Sequence, residues 1–250
     1  TAEVERALLD GRVDLAVHSL KDLPIQQPEG LILAAIPERE DPRDAWISAD
    51  HASLVDLPEG SVVATGSLRR RSQILHRHPH LKVEGIRGNI DTRLAKYREQ
   101  GAAGLILAAS GMNRVSRQGD YRALISVTEM TPAPGQGALA VEVRQADEDL
   151  VRIVSKLDHL ETRECVTAER ALLSGLGGGC HLPVGAIAGV SGDHLSLCGV
   201  LGSLDGENLV RLSAEGPRTD SIGIGTELSA LIRKTGGEEI LAKLDAGLNT

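Results

Sequence analysis

Apolar residues recur along the first half of the chain in two alternating rhythms. EVERALLDG has the spacing of one helix face and stops at a glycine, and the mostly apolar VDLAVHSL then reads as a strand running into KDLP. GLILAAIPERE predicts a second strand, and DPRDAWIS starts a new unit. SVVATGS is a buried strand feeding a turn and the helix SLRRRSQILHR. LKVEGIRGN, IDTRLAKYREQG and AAGLILAASGMNRV follow as a strand, a helix, and a strand with its loop. Strands that alternate with helices argue for an α/β unit with a mainly parallel sheet.

The pattern then changes. TPAPGQGALAVEVR is a Pro/Gly crossover leading into a strand, a place for the chain to leave one domain and rejoin another. DLVRIVSKLDHLETRECVTAERALLSGL predicts two helices, the second ending at a glycine run. PVGAIAGV, HLSLCGVLGS and NLVRLSAEG are short strands joined by Gly, Asp and Asn turns, and ELSALIRKTGGEEILAKLDAG is helical. The last third is therefore an antiparallel α+β domain. The chain opens at Thr1 inside an amphipathic helix, with no initiator methionine and no strand before it, so a further segment is expected ahead of it.

Composition narrows the function. In 250 residues with 41% hydrophobic content only 1% are aromatic and none is Phe, so cores must be aliphatic and base stacking on nucleic acid is poorly supported. No apolar run spans a bilayer and nothing reads as a secretory signal, which makes a soluble cytoplasmic protein the expectation. Cys165, Cys180 and Cys198 are odd in number and lack CxxC spacing, which argues against a zinc site and against a disulfide framework.

Charge is unevenly spread. The net charge is −8, yet residues 61–100 hold nine Lys/Arg against three acids, leaving 18 basic against 32 acidic side chains elsewhere. Arg77, Lys96 and Arg98 suit a solvated helix face. Arg69, Arg70, Arg87 and Arg93 sit where strands give way to loops or helices, the positions where open α/β sheets hold anions. Guanidinium groups grip carboxylate or phosphate in a bidentate manner, so several of them imply a compact polyanion. A long nucleic acid would meet repulsion from the acidic remainder.

Two further positions carry candidate chemistry. Asp22 follows a strand end together with Ser19 and Lys21; it either caps a turn or serves a cleft as general acid/base, with Lys21 as a charge partner. Cys180, in GLGGGCHLPVG, belongs to no regular element, unlike Cys165 and Cys198, for which core packing is expected. His181 is adjacent and points the other way in an extended segment, and no GK[ST] follows the glycines. Covalent attachment or an unremarkable loop thiol remain.

In order, DLAVHSLKDLP, ATGSLRRRSQIL, IRGNIDTRLAK, LAASGMNR, PAPGQGALAVEVR and ERALLSGLGGGCHLPVGA resemble the hydroxymethylbilane synthase, or porphobilinogen deaminase, family. The resemblance covers residues 1–190 and extends more loosely to the end. It implies two α/β domains like those of periplasmic binding proteins, spanning 1–37 with 138–156 and 43–131, and a small antiparallel α+β domain over 160–250. It implies a monomeric transferase that joins four porphobilinogen molecules head to tail, releasing ammonia, to give linear hydroxymethylbilane. A dipyrromethane cofactor is implied as a thioether on Cys180. Asp22 matches the catalytic aspartate, stabilising the cation left by ammonia loss. Arg69, Arg70, Arg93, Ser67 and Lys21 match cofactor-binding positions. Arg87, Ser19, Thr65, Gly88, Asn89, Arg114, Gln136 and Arg170 match the substrate side, and no metal is implied. The family's preceding segment would add a strand, another substrate-binding arginine and a mobile loop. A two-lobed, non-catalytic binder of an organic polyanion is the rival reading.

Overall fold

The computed structural model describes residues 2–179 and 182–248 and contains three sheets. The first has three strands, β1 (Leu15–Ser19), β2 (Leu31–Ala35) and β8 (Leu139–Arg144), with β8 central and antiparallel to both neighbours. Helix α1 (Ala2–Leu9) and helix α5 (Glu148–Val154) pack against it. The second sheet has the order β5-β4-β6-β3-β7, with β3 (Asp44–Ile47), β4 (Val62–Ala64), β5 (Lys82–Glu84), β6 (Gly104–Ala108) and β7 (Ala123–Ile125). Its helices are α2 (Leu68–Arg77), α3 (Ile90–Gln100) and α4 (Ala109–Arg114). The third is an antiparallel meander of β9 (Val184–Ser191), β10 (His194–Gly202) and β11 (Leu209–Pro217), covered by α6 (Leu160–Gly175), α7 (Ser221–Ile232) and α8 (Glu238–Leu248).

Two α/β lobes and a small C-terminal antiparallel unit are what the sequence predicts, but strand directions correct the expectation of a mainly parallel sheet. Among the described residues the only parallel pairs are β4 with β5 and β4 with β6; β3 runs antiparallel to β6 and β7, and the first sheet is wholly antiparallel. The reason is connectivity. β3 and β8 each arrive from the other lobe through a crossover, so no helix packed on their own sheet fixes them parallel. Two local differences accompany this. The loop expected at 109–114 is the short helix α4, and the single helical stretch expected near the C-terminus breaks at Gly236, whose φ of +101° ends one helix before the next begins.

The cores are aliphatic, as the composition requires. In β6, Ile106 packs on one face of its sheet with Trp46, Val63 and Ile74, while Leu105 and Leu107 pack on the other with Ile86, Leu94 and Met112. Cys165 is buried in the third unit, and burial pushes its thiol up to about 11, as expected of a packed cysteine. Among the described residues no helix is long and apolar enough to cross a membrane.

The three units meet at the crossovers. Glu169 of α6 is fully buried and accepts from both terminal nitrogens of Arg39 (2.7 and 3.1 Å), from Gly135 N (2.7 Å) and from Ala188 N (2.9 Å). Arg39 Nε donates to the Gln136 carbonyl at 2.8 Å, so one carboxylate gathers both crossover segments and β9.

Candidate active site

Each wall of a single large cavity comes from a different unit. In the first lobe, β1 ends in a tight turn, Leu20–Asp22, anchored by the fully buried Leu20 side chain and by Leu20 N donating to Ala138 O at 3.0 Å. That anchoring leaves Lys21 and Asp22 on the cavity wall. Arg170 of α6 holds the same loop from outside: its guanidinium donates to the carbonyls of Leu20, Leu23, Pro24 and Ile25, with the Pro24 contact at 2.6 Å.

In the second lobe, Ser67 caps α2, its hydroxyl accepting from Arg70 N at 3.4 Å, and the helix begins at once with Leu68, Arg69 and Arg70. Arg69 and Arg70 are turned inward and almost wholly buried. Both pair with Asp44 at the start of β3, at 2.7 Å each. Burial alone would raise the Asp44 carboxyl, but the two guanidinium charges outweigh it and hold the group far below the usual carboxylate range. Arg93 projects from the first turn of α3. The third residue of the sequence's triplet, Arg71, faces away, donating to the carbonyls of Leu204 and Val83.

These elements enclose about 1060 Å³, lined by Lys21 and Asp22, by Ser67, Arg69, Arg70, Arg93 and Gln136, and by Arg170, Leu182 and Gly177–Gly179. Gly177 and Gly178 take positive φ values of +109° and +50°, a backbone course open to glycine and costly to other residues. Cys180 and His181 lie outside the described residues, while Gly179 and Leu182 on either side line the cavity. Lys21 is pulled down to about 8, first by burial and then by the nearby Arg70 charge, against the opposing pull of Asp22 and Asp44.

Ser19, Thr65, Arg87, Gly88, Asn89 and Arg114 are not brought to this lining. Thr65 is buried behind it, its hydroxyl accepting from Ser67 N at 3.3 Å. Arg87 is exposed, and its carbonyl accepts from Lys96 Nζ. Asn89 caps α3 through Thr92 N, and its carbonyl accepts from Arg93 N, so it sets the turn that carries Arg93. Arg114 donates to Gly137 O at 2.7 Å and braces the crossover. Sequence reasoning missed Asp44, Arg39 and Glu169. The only signal for Asp44 was an acid at the first position of an apolar strand, a position equally suited to a turn cap.

The donor chemistry shows what the cavity suits. The Nε–H groups of Arg69, Arg70 and Arg93 are all buried without a hydrogen-bond partner, although all three residues line the cavity. Buried donors of this kind are costly unless a ligand satisfies them, and a cationic donor is best matched by a carboxylate.

The model of the family "Porphobilinogen deaminase, dipyromethane cofactor binding domain" matches residues 1–152, and that of the "Porphobilinogen deaminase, C-terminal domain" matches residues 163–234. The chain belongs to the porphobilinogen deaminase family. The porphobilinogen deaminase of Methylobacillus flagellatus is 46% identical over 242 residues, 97% of this chain and 78% of that protein. The Bordetella parapertussis enzyme is 45% identical over the same length, 97% of this chain and 77% of its own. A methionine-binding lipoprotein of Bacillus subtilis (13% identity, TM-score 0.41) and a nutrient-binding protein of Burkholderia cenocepacia bound to methionine (17%, 0.44) each cover 63% of this chain and 74% and 76% of their own. Family membership disfavours the non-catalytic binder. The cofactor of this family is dipyrromethane, and the residues present fit it: three arginines and a buried lysine line the cavity that the glycine segment also lines, a cationic wall suited to a ligand's carboxylates.

Proposed function

We propose a division of labour among the cavity walls for the reaction of this family. The protein is a transferase that joins four porphobilinogen molecules head to tail with loss of ammonia, yielding linear hydroxymethylbilane for tetrapyrrole biosynthesis. When bound, the dipyrromethane supplies a covalent primer with a nucleophilic pyrrole carbon, tethered as a thioether to Cys180. Arg69, Arg70 and Arg93 hold its carboxylates through their guanidinium groups, with Lys21 and Ser67 beside them. Asp22 sets a carboxylate against the positive charge that develops as ammonia departs and passes a proton to the leaving amine.

The substrate side comprises Gln136 and Arg170 on the cavity lining, with Arg87, Ser19, Thr65, Gly88, Asn89 and Arg114 around it. Asn89 and Thr65 act there by shaping the turns that carry Arg93 and Ser67, and Arg170 by holding the Asp22 loop through its carbonyls. The domains are 1–37 with 138–156, 43–131 and 160–250, and the protein works as a cytoplasmic monomer. The observation that carries this reading is the set of three arginines, each with a buried unpartnered Nε–H, that line one cavity with Asp22.

Intact mass under denaturing conditions tests it. The holo protein is expected to carry the added mass of two linked pyrroles, and Cys180→Ser to show the bare polypeptide mass. Asp22→Asn should keep the added mass while losing turnover by roughly 10²–10⁴-fold, the range for a positioned acid/base. Bare mass in the holo protein, or near-normal turnover in Asp22→Asn, refutes the assignment.

A further inference from the structure

Asp44 does more than neutralise charge. Its Oδ2 accepts from Arg69 Nη1 at 2.7 Å, and its Oδ1 accepts from Arg70 Nη2 at 2.7 Å, Gln136 Nε2 at 2.8 Å and Arg69 Nη2 at 3.3 Å. Arg69 Nη1 also donates to Thr131 O at 2.8 Å, and Arg70 Nη1 to Ile106 O at 3.0 Å. Every terminal nitrogen of both guanidinium groups therefore makes at least one hydrogen bond, and both Nε–H groups are buried without a partner. A guanidinium can meet a carboxylate end-on through its two Nη groups or side-on through Nε and one Nη. Asp44 meets Nη groups of both arginines, which fixes how the two guanidinium planes are turned.

The charge count points the same way. One carboxylate between two guanidinium groups leaves this wall with a net +1, enough to attract an anion while removing the repulsion that would drive two bare arginines apart. Asp44 also ties the wall to the connection between the lobes, because Gln136 and Thr131 both lie on the returning crossover and Pro132 O accepts from Ala186 N of β9 at 2.8 Å.

We propose that Asp44 is a positioning residue for the anion-binding wall, fixing the orientation of the Arg69 and Arg70 guanidinium groups and coupling that orientation to the crossover through Gln136. The proposal rests on Arg69 and Arg70 being carboxylate ligands, as assigned above.

The test compares Asp44→Ala and Asp44→Asn in the holo protein, with and without added formate and with chloride as the ionic-strength control. Turnover in Asp44→Ala is expected to fall roughly 10–100-fold, the cost of about an ångström of misplacement. Formate, filling the space of the lost carboxylate, should restore part of that loss in Asp44→Ala. It should restore none in Asp44→Asn, where the amide occupies the space. In Asp44→Asn the wall gains a positive charge, so sulfate should raise its melting temperature more than the parent's. Unchanged turnover in Asp44→Ala, no recovery with formate in a folded Asp44→Ala, or an equal sulfate response would overturn the proposal. Failure of both variants to fold would overturn it too, by making Asp44 a purely structural keystone. Arg70→Met separates the two levels: normal cofactor loading there would sink the ligand assignment and the proposal with it, whereas impaired loading there together with no formate recovery in a folded Asp44→Ala would sink the positioning role alone.

Discussion

Replacing Glu169 with glutamine removes one charge from the point where all three units meet. The side chain is fully buried, and its two oxygens together accept four hydrogen bonds, two from Arg39, one from Gly135 N and one from Ala188 N. Glutamine fills nearly the same volume but turns one acceptor into a donor. Whichever way the amide faces, one oxygen's worth of donors then points at an NH₂ group, and Arg39, with only 11% of its side chain exposed, loses its counter-charge. Removing one partner of a buried ion pair costs about 3–5 kcal/mol. In a chain of this length 1 kcal/mol moves the melting temperature by about 2–4 °C, which gives an expected drop of roughly 6–20 °C. Scanning calorimetry reads it as a shift of the transition that includes the junction. Adding Arg39→Met to Glu169→Gln should recover part of the loss, since no buried charge is then orphaned. A drop below about 2 °C, within the effect of an ordinary surface substitution, would refute the claim that this carboxylate holds the units together.

Other outcomes follow from the same structure. A methyl group on Gly104 would lie 1.8 Å from the Trp46 ring, so Gly104→Ala should destabilise the second lobe by about 1–3 kcal/mol and shift the emission of the protein's single tryptophan; unchanged melting and emission would contradict that packing. Lys21, at about 8, should lose its charge as pH rises, so kcat/KM falls above about pH 8 and Lys21→Arg removes that limb; a limb that persists in Lys21→Arg assigns it elsewhere. The same shift has a stability consequence. Between about pH 8 and 10.5 the unfolded chain holds a proton that the folded one has released, so this lysine makes stability rise with pH across that window, and Lys21→Met should flatten the rise.

Much of this molecule follows from local pattern. Periodicity locates nearly all the helices and strands, the absence of Phe forces aliphatic cores, and strand-to-helix junctions bring Arg69, Arg70 and Arg93 to one wall because Ser67 and Asn89 start their helices there. The six ordered motifs point to the family as well. Tertiary structure alone decides the rest. A strand's direction depends on where its chain arrives from, which the alternation of apolar residues does not record, so β3 and β8 run against expectation. Asp44 and Glu169 read locally as one more turn acid and one more helix acid. Their roles arise from partners 25 and 130 residues away in the chain, Arg69 and Arg39, at contacts only the packed crossovers create. Arg87 and Arg114 show the converse: basic residues that look like ligands in sequence stand outside the cavity lining, one exposed and the other bracing a carbonyl of the crossover. Local pattern sets which face of an element a residue occupies, and only the docking of distant elements settles what that face meets.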